Sequence, residues 1–168
     1  MGFQTWLSSV NDSPKALNYR IYKDNLAFEN YLNILNDKDI LTLSTFRTTN
    51  HKLPVENGRW KHIARENRIC LLCNNGEIGD ECHYLFKCQY FGNQRKNYIK
   101  KNIHINPNII KFKLLMTSTS KIELQKLCRF VRIINKGVSL PLTSCYDLSV
   151  YIVNSVHIFI SLPVCIMV

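Results

Sequence analysis

At 168 residues, 46% of them hydrophobic, the chain is long enough for one domain, or one domain with an appendage, and apolar enough to bury a core, which excludes disorder throughout. Its formal net charge of +10, from 22 Lys+Arg against 12 Asp+Glu, favours polyanionic partners, because each neutralised phosphate releases condensed counterions; charge alone does not separate nucleic acid from an anionic membrane. Seven cysteines, an odd number, and an N-terminus without a secretory pattern speak against a disulfide framework and for a reducing intracellular setting, nuclear or cytoplasmic. Trp6 stands where a myristoylation motif after Met1-Gly2 needs Ser or Thr.

Ser13 followed by Pro14 reads as a helix N-cap with proline at the first helical position, and the spacing of Leu17, Ile21, Leu26, Tyr31, Leu32 and Leu35 predicts a helix from there to about Leu35. Asn36 and Asp37 interrupt it. A second helix is expected over Asp39 to Thr48, with Ile40, Leu43 and Phe46 on one face. Pro54 and the Asn57-Gly58 pair mark the next stretch as an irregular connector.

Cys70, Cys73, His83 and Cys88 follow at metal-ligand spacing. Two cysteines separated by two residues turn both sulfurs toward one ion, and a Cys/Cys plus His/Cys set gives Zn²⁺ four ligands in a closed, structural tetrahedron. Asn74, Asn75 and Gly76 tolerate the left-handed backbone angles that a reversal around a metal needs. Tyr84 to Cys88 fits one helical turn. Cys82 offers a fourth thiolate in place of His83, and His83 is the expected ligand. Asp80 or Glu81 is the expected acceptor for the second imidazole N–H.

Beyond the knuckle the charge becomes one-sided. Residues 1–94 carry a net of +1, residues 95–136 a net of +10, and residues 137–168 a net of −1. A basic helix is expected from about Asn93 to Lys101. Ser120 to Glu123 matches a capping box, opening a helix that should run to Asn135 or Lys136 with Gly137 beyond its end. On that helix Lys121, Gln125, Arg129, Arg132 and Lys136 fall on one side, and Leu124, Leu127, Cys128, Phe130, Val131 and Ile134 on the other. The basic side is either an ordinary solvated face or a phosphate-contacting one, and Lys96, Lys100, Lys101, Arg129, Arg132 and Lys136 are the candidate contacts. Tyr84, Tyr90 and Phe91 offer rings for base stacking, with a core role the expected one for each.

From Leu148 to Val168 no residue is charged. The length suffices to span a bilayer, but Asn154, His157, Pro163 and three serines weaken the signal. Two parts are therefore expected: a mainly α domain over 1–138 built around a Cys-Cys-His-Cys zinc knuckle, and an apolar tail over 139–168, membrane-inserting or unrelated in sequence.

Residues of about 40 to 102 resemble the zinc-binding region that follows the polymerase in reverse transcriptases of non-LTR retrotransposons. The likeness rests on Arg47 followed by NHKLP, on Gly58-Arg59-Trp60, on Arg68-x-Cys70-x-x-Cys73, on Gly79-Asp80-Glu81-x-His83-x-x-Phe86, on Cys88, and on an aromatic and Arg95 shortly after. It implies one zinc on Cys70, Cys73, His83 and Cys88, and a surface facing DNA or RNA that carries Arg47, His51, Lys52, Arg59 and Arg95. Cys82 departs from the pattern. No Asp-Asp pair occurs, and Glu123 and Asp147 are the only acids after Cys88, too few for a polymerase or nuclease centre holding divalent cations on carboxylates. The expected function is a non-enzymatic, zinc-stabilised nucleic-acid-binding module from a larger retroelement protein; the alternatives are a tail-anchored protein with a cytoplasmic basic domain and a degenerate transposon remnant.

Overall fold

Ser120 and the apolar stripe behind it do what their spacing dictates. In the computed structural model, which describes residues 2–15 and 17–139, a helix spans Lys121–Ser139 and buries Leu124, Leu127, Cys128, Phe130, Val131 and Ile134 along one side. The eight α-helical segments before it among the described residues are α1 (Phe3–Asp12), α2 (Tyr19–Tyr22), α3 (Tyr31–Ile34), α4 (Asp37–Arg47), α5 (Pro54–Trp60), α6 (Gly92–Tyr98), α7 (Lys101–His104) and α8 (Ile109–Met116), so the long one is α9. No strand occurs among the described residues; Ile69 and Ile78 form an isolated antiparallel bridge. The fold is mainly α, as the sequence implied.

Helix α9 packs chiefly against α4 and α6. Its buried side belongs to one continuous core with Leu43 and Phe46 of α4, Phe91 just before α6 and Phe112 of α8. Phe130 is clasped between rings, edge-on to Phe91 at 6.2 Å and stacked parallel on Tyr98 at 6.1 Å. Gly137 does not end α9. It lies within the helix, where a Cβ would come 2.8 Å from the Phe91 ring, so its missing side chain makes room for the aromatic cluster. The capping box is half formed: the Glu123 N–H reaches the Ser120 hydroxyl at 3.5 Å, while the Glu123 carboxylate turns instead to Lys100 and the Ser118 hydroxyl.

The helix expected from Ser13 to Leu35 is replaced by two single turns, α2 and α3, joined by irregular chain. Asn25 explains part of the break, because its side-chain oxygen accepts the Ala27 N–H and offers the backbone a turn in place of a helical bond. Ahead of it, α1 is a helix that the sequence reading did not anticipate. Asn36 interrupts as expected, in a specific way: its side chain accepts the Asp39 N–H and caps α4.

Two further corrections concern the connector and the basic helix. Pro54 opens α5 at its first position, where a missing N–H is harmless, so the stretch read as irregular is helical from Pro54 to Trp60. Gly58, read as half of a turn pair, is a packing site: a Cβ there would lie 2.5 Å from the Arg68 side chain. The basic helix stops at Tyr98 and restarts at Lys101 after extended backbone at Ile99. The charge-free stretch 148–168 lies outside the described residues, as does the expected tail apart from Ser139, still in α9. Among the described residues no helix is long and apolar enough to cross a membrane.

Candidate metal centre

A tight reversal and a wide turn bring the four ligands together. Arg68 and Gly79 pair across the reversal, the Gly79 N–H donating to the Arg68 carbonyl at 2.9 Å, and the Cys70 N–H donates to the Glu77 carbonyl at 2.9 Å. Gly76 supplies the turn with a φ of +67°, the left-handed region that glycine enters without steric cost. Gly79 lets the reversal sit on the start of α5, since a Cβ there would meet the Pro54 ring at 2.8 Å.

After the reversal, the Asp80 carboxylate accepts the His83 N–H at 2.9 Å and starts a turn over His83–Lys87. That turn is of the π type: the Cys88 N–H donates to the His83 carbonyl at 2.8 Å, five residues back. The wider winding carries His83 and Cys88 toward one side, whereas an α-helical turn would leave them about 140° apart.

The result is a buried group of Cys70, Cys73, His83 and Cys88 whose ligand atoms all lie within 4.8 Å of one another. Zinc–sulfur bonds of about 2.3 Å and zinc–nitrogen bonds of about 2.0–2.1 Å at tetrahedral angles imply sulfur–sulfur edges of about 3.8 Å and sulfur–nitrogen edges of about 3.6 Å. The Cys70 and Cys88 sulfurs are 3.8 Å apart, and the Cys73 sulfur is 3.3 Å from His83 Nε2. Both edges fit, so the Cys3His group could hold a metal ion such as zinc.

The surroundings suit thiolates. The Leu72 N–H donates to the Cys70 sulfur at 3.4 Å, and the Cys70 thiol bonds the Tyr84 hydroxyl oxygen at 3.3 Å. The hydrogen bond from Cys88 holds Cys70 well below the usual thiol range, with His83 and Tyr84 adding to the effect; the same bond, with burial, raises Cys88. A metal ion binds such cysteines as thiolates and would displace their protons.

His83 presents Nε2 to the cluster because Nδ1 is occupied by Glu77, whose carboxylate lies at 3.0 Å. The His83 ring holds the Glu77 carboxyl below its ordinary value. A carboxylate so placed would orient the imidazole were His83 to bind a metal. The sequence reading had placed Asp80 or Glu81 in that role; Asp80 instead caps the turn, and Glu81 is buried against His51 Nε2 at 2.7 Å. Cys82 is outside the cluster, half-buried, with burial pushing its thiol up to about 12.

The residues assigned to a nucleic-acid-facing surface divide. Arg47 is in the core: its guanidinium lies over the Tyr22 and Tyr31 rings at 4.5 and 5.1 Å, pairs with Glu29 at 2.9 Å and donates to the Met116 carbonyl. His51 is occupied by Glu81. Arg95, 7% exposed, donates to the Leu85 and Cys88 carbonyls at 2.7 Å each and to Tyr84 at 3.5 Å. All three are structural, which corrects their expected surface role. Arg59 pairs with Glu56 at 2.5 Å and lies over the exposed Trp60 ring at 4.4 Å. Lys52, Lys96, Lys100, Lys101, Arg129 and Lys136 are exposed, with Lys100 paired to Glu123. Arg132 is half-buried and pairs with Asp39 of α4 at 2.6 Å. Tyr84 and Phe91 are core residues, as expected, while Tyr90 is partly exposed.

Sequence reasoning missed Glu77 as the His83 partner and Arg95 as a clamp. Glu77 follows Gly76 directly, and only the register of the reversal shows that it returns beside His83. What the fold and site define is a small helical domain with a buried Cys3His group that could hold a metal ion. Comparison of the chain with protein-family models, curated proteins and solved structures finds no match.

Proposed function

We propose that this chain is a non-catalytic, zinc-stabilised nucleic-acid-binding module, derived from the region that follows the polymerase in a non-LTR retrotransposon reverse transcriptase. The observation that carries the reading is the closed set of Cys70, Cys73, His83 and Cys88, with edges of 3.8 and 3.3 Å matching a zinc tetrahedron. Four protein ligands leave no open position for a substrate, so the metal's work is to hold the reversal and the π turn together. The exposed cations of α6, α7 and α9 supply phosphate contacts, which position a backbone without reading sequence.

The test is direct. Purified chain should carry one zinc and bind DNA or RNA with an affinity that falls as log[salt] rises, at a slope of about −3 to −5 for some five phosphate contacts. Chelation should abolish helicity and binding together. A chain that copurifies without metal, keeps its fold in chelator, or binds with no salt dependence overturns the proposal.

A further inference from the structure

Helices α6 and α7 meet the end of α8 and the start of α9 around a cavity of about 350 Å³. Its walls carry apolar side chains that the fold leaves in the open, including Leu114 and Ile122, 55% and 67% exposed. Ile99, Ile103 and Leu115 form the rest of the apolar lining, and Tyr98 adds a ring. Four lysines line the same cavity, Lys96, Lys100, Lys101 and Lys126, against one carboxylate, Glu123. Lys100 is held by Glu123. Lys96 and Lys101 have no carboxylate partner among the described residues, which leaves their ammonium groups available to an anion.

An exposed apolar surface inside a basic rim calls for a ligand with both characters. Ligand pockets of a few hundred Å³ combine apolar walls with convergent polar groups that fix orientation. An unpaired nucleotide has a flat base for the apolar wall and an anionic phosphate for the ammonium rim. The shape also discriminates: a bilayer takes up protruding apolar side chains, whereas this surface is concave and receives its ligand. Paired bases in a duplex keep their faces stacked on one another and cannot enter. From Lys126 the cations continue along α9 through Arg129 to Lys136, all exposed and on one side, giving a track for the adjoining backbone.

We infer that this cavity is a single-strand site, which takes one unpaired base against Leu114 and Ile122 and its phosphate on Lys96, Lys101 and Lys126. The inference rests on the nucleic-acid reading above and narrows it to unpaired strands. Removing roughly 60 Å² of apolar base and side-chain surface from water is worth about a factor of ten in affinity, and it survives salt that screens the phosphates.

The test is the full chain with zinc, measured by fluorescence anisotropy on a labelled oligothymidylate, an oligouridylate and a duplex of equal length. The variants Leu114→Gln and Ile122→Gln, singly and together, remove the apolar wall without changing charge; both positions are exposed, and circular dichroism checks the fold. The expected result is a loss of roughly ten-fold in affinity for both single strands in the double variant, with duplex affinity unchanged. Equal losses on strand and duplex, or no loss on either while the wild type still binds, overturn the single-strand site and leave the nucleic-acid reading standing. A wild type that binds none of the three overturns both. Loss confined to sedimentation with anionic vesicles would assign the surface to lipid and sink the inference.

Discussion

The Cys88 N–H closes on the His83 carbonyl at 2.8 Å, and that single i+5 bond decides the ligand set. It widens the turn so that a histidine and a cysteine five residues apart converge. Cys82, one residue earlier, is carried outside the group. The His-x4-Cys spacing is therefore a property of a π turn, and shortening the interval by one residue would favour an α-helical turn with a different pair of directions.

Metal stoichiometry separates the two cysteine classes. Cys73→Ser and Cys88→Ser should each reduce bound zinc well below one per chain, whereas Cys82→Ala should leave it at one. Glu77→Gln keeps all four ligands but weakens the hold on the imidazole, so zinc affinity should fall about ten-fold, within the range seen for partners of metal-bound histidines. Competition with a chromophoric chelator measures each.

Arg95 tests whether the turn needs external support. Its guanidinium satisfies the carbonyls of Tyr84, Leu85 and Cys88, so Arg95→Ala leaves buried acceptors unpaired, at a cost of about 2–4 kcal/mol. Urea unfolding of the zinc-bound chain should show that loss, and zinc release to chelator should be faster. Unchanged stability would mean that water replaces the guanidinium.

Arg47 should behave as a core residue in spite of its charge. Replacing it with alanine removes a cation enclosed by Tyr22 and Tyr31 and leaves Glu29 with Lys23 as its cationic partner; the expected destabilisation is about 3 kcal/mol. Conservative Arg47→Lys should recover only part, because a lysine cannot reach Glu29 and the Met116 carbonyl with one planar fork. Neither variant should change the salt slope of nucleic-acid binding once the fold is maintained.

Glu123 links α9 to Lys100, just before α7, and the Lys100 hydrogen bond holds its carboxyl below the ordinary value of 4.5. A carboxyl with a depressed folded pKa stabilises the fold above its unfolded value, and the contribution is lost as pH falls through the folded one. The wild type should thus be more stable than Glu123→Gln near neutral pH, and the gap should close below about pH 4.5. Parallel urea midpoints across that window give the answer; a gap that persists in acid would show that the ion pair is not its source.

How much was legible varied with the range of the interaction. The stripe of α9 was readable because burial of Leu124, Leu127, Phe130, Val131 and Ile134 imposes its own period on the sequence. The four ligands were readable because cysteine pairs and a histidine at such intervals have few other reasons to recur. Gly76 was readable because a reversal needs a positive φ. The segment 13–35 was misread because the same apolar residues serve two separate turns, with the Asn25 side chain offering the backbone another partner.

Composition, spacing and periodicity by themselves determined a mainly α chain, a ligand group of Cys70, Cys73 and Cys88 with His83 or Cys82 as its fourth member, and the excess positive charge after residue 94. These are local properties, set within one turn or one reversal. Which cations face outward was decided only by tertiary structure. Arg47 found Glu29, Tyr22 and Tyr31 across the core, Arg95 found three carbonyls of the π turn, and Arg132 found Asp39 on α4. A guanidinium is long and carries five donors, so its fate depends on acceptors that long-range packing brings near, and nothing in its own neighbourhood along the chain announces them.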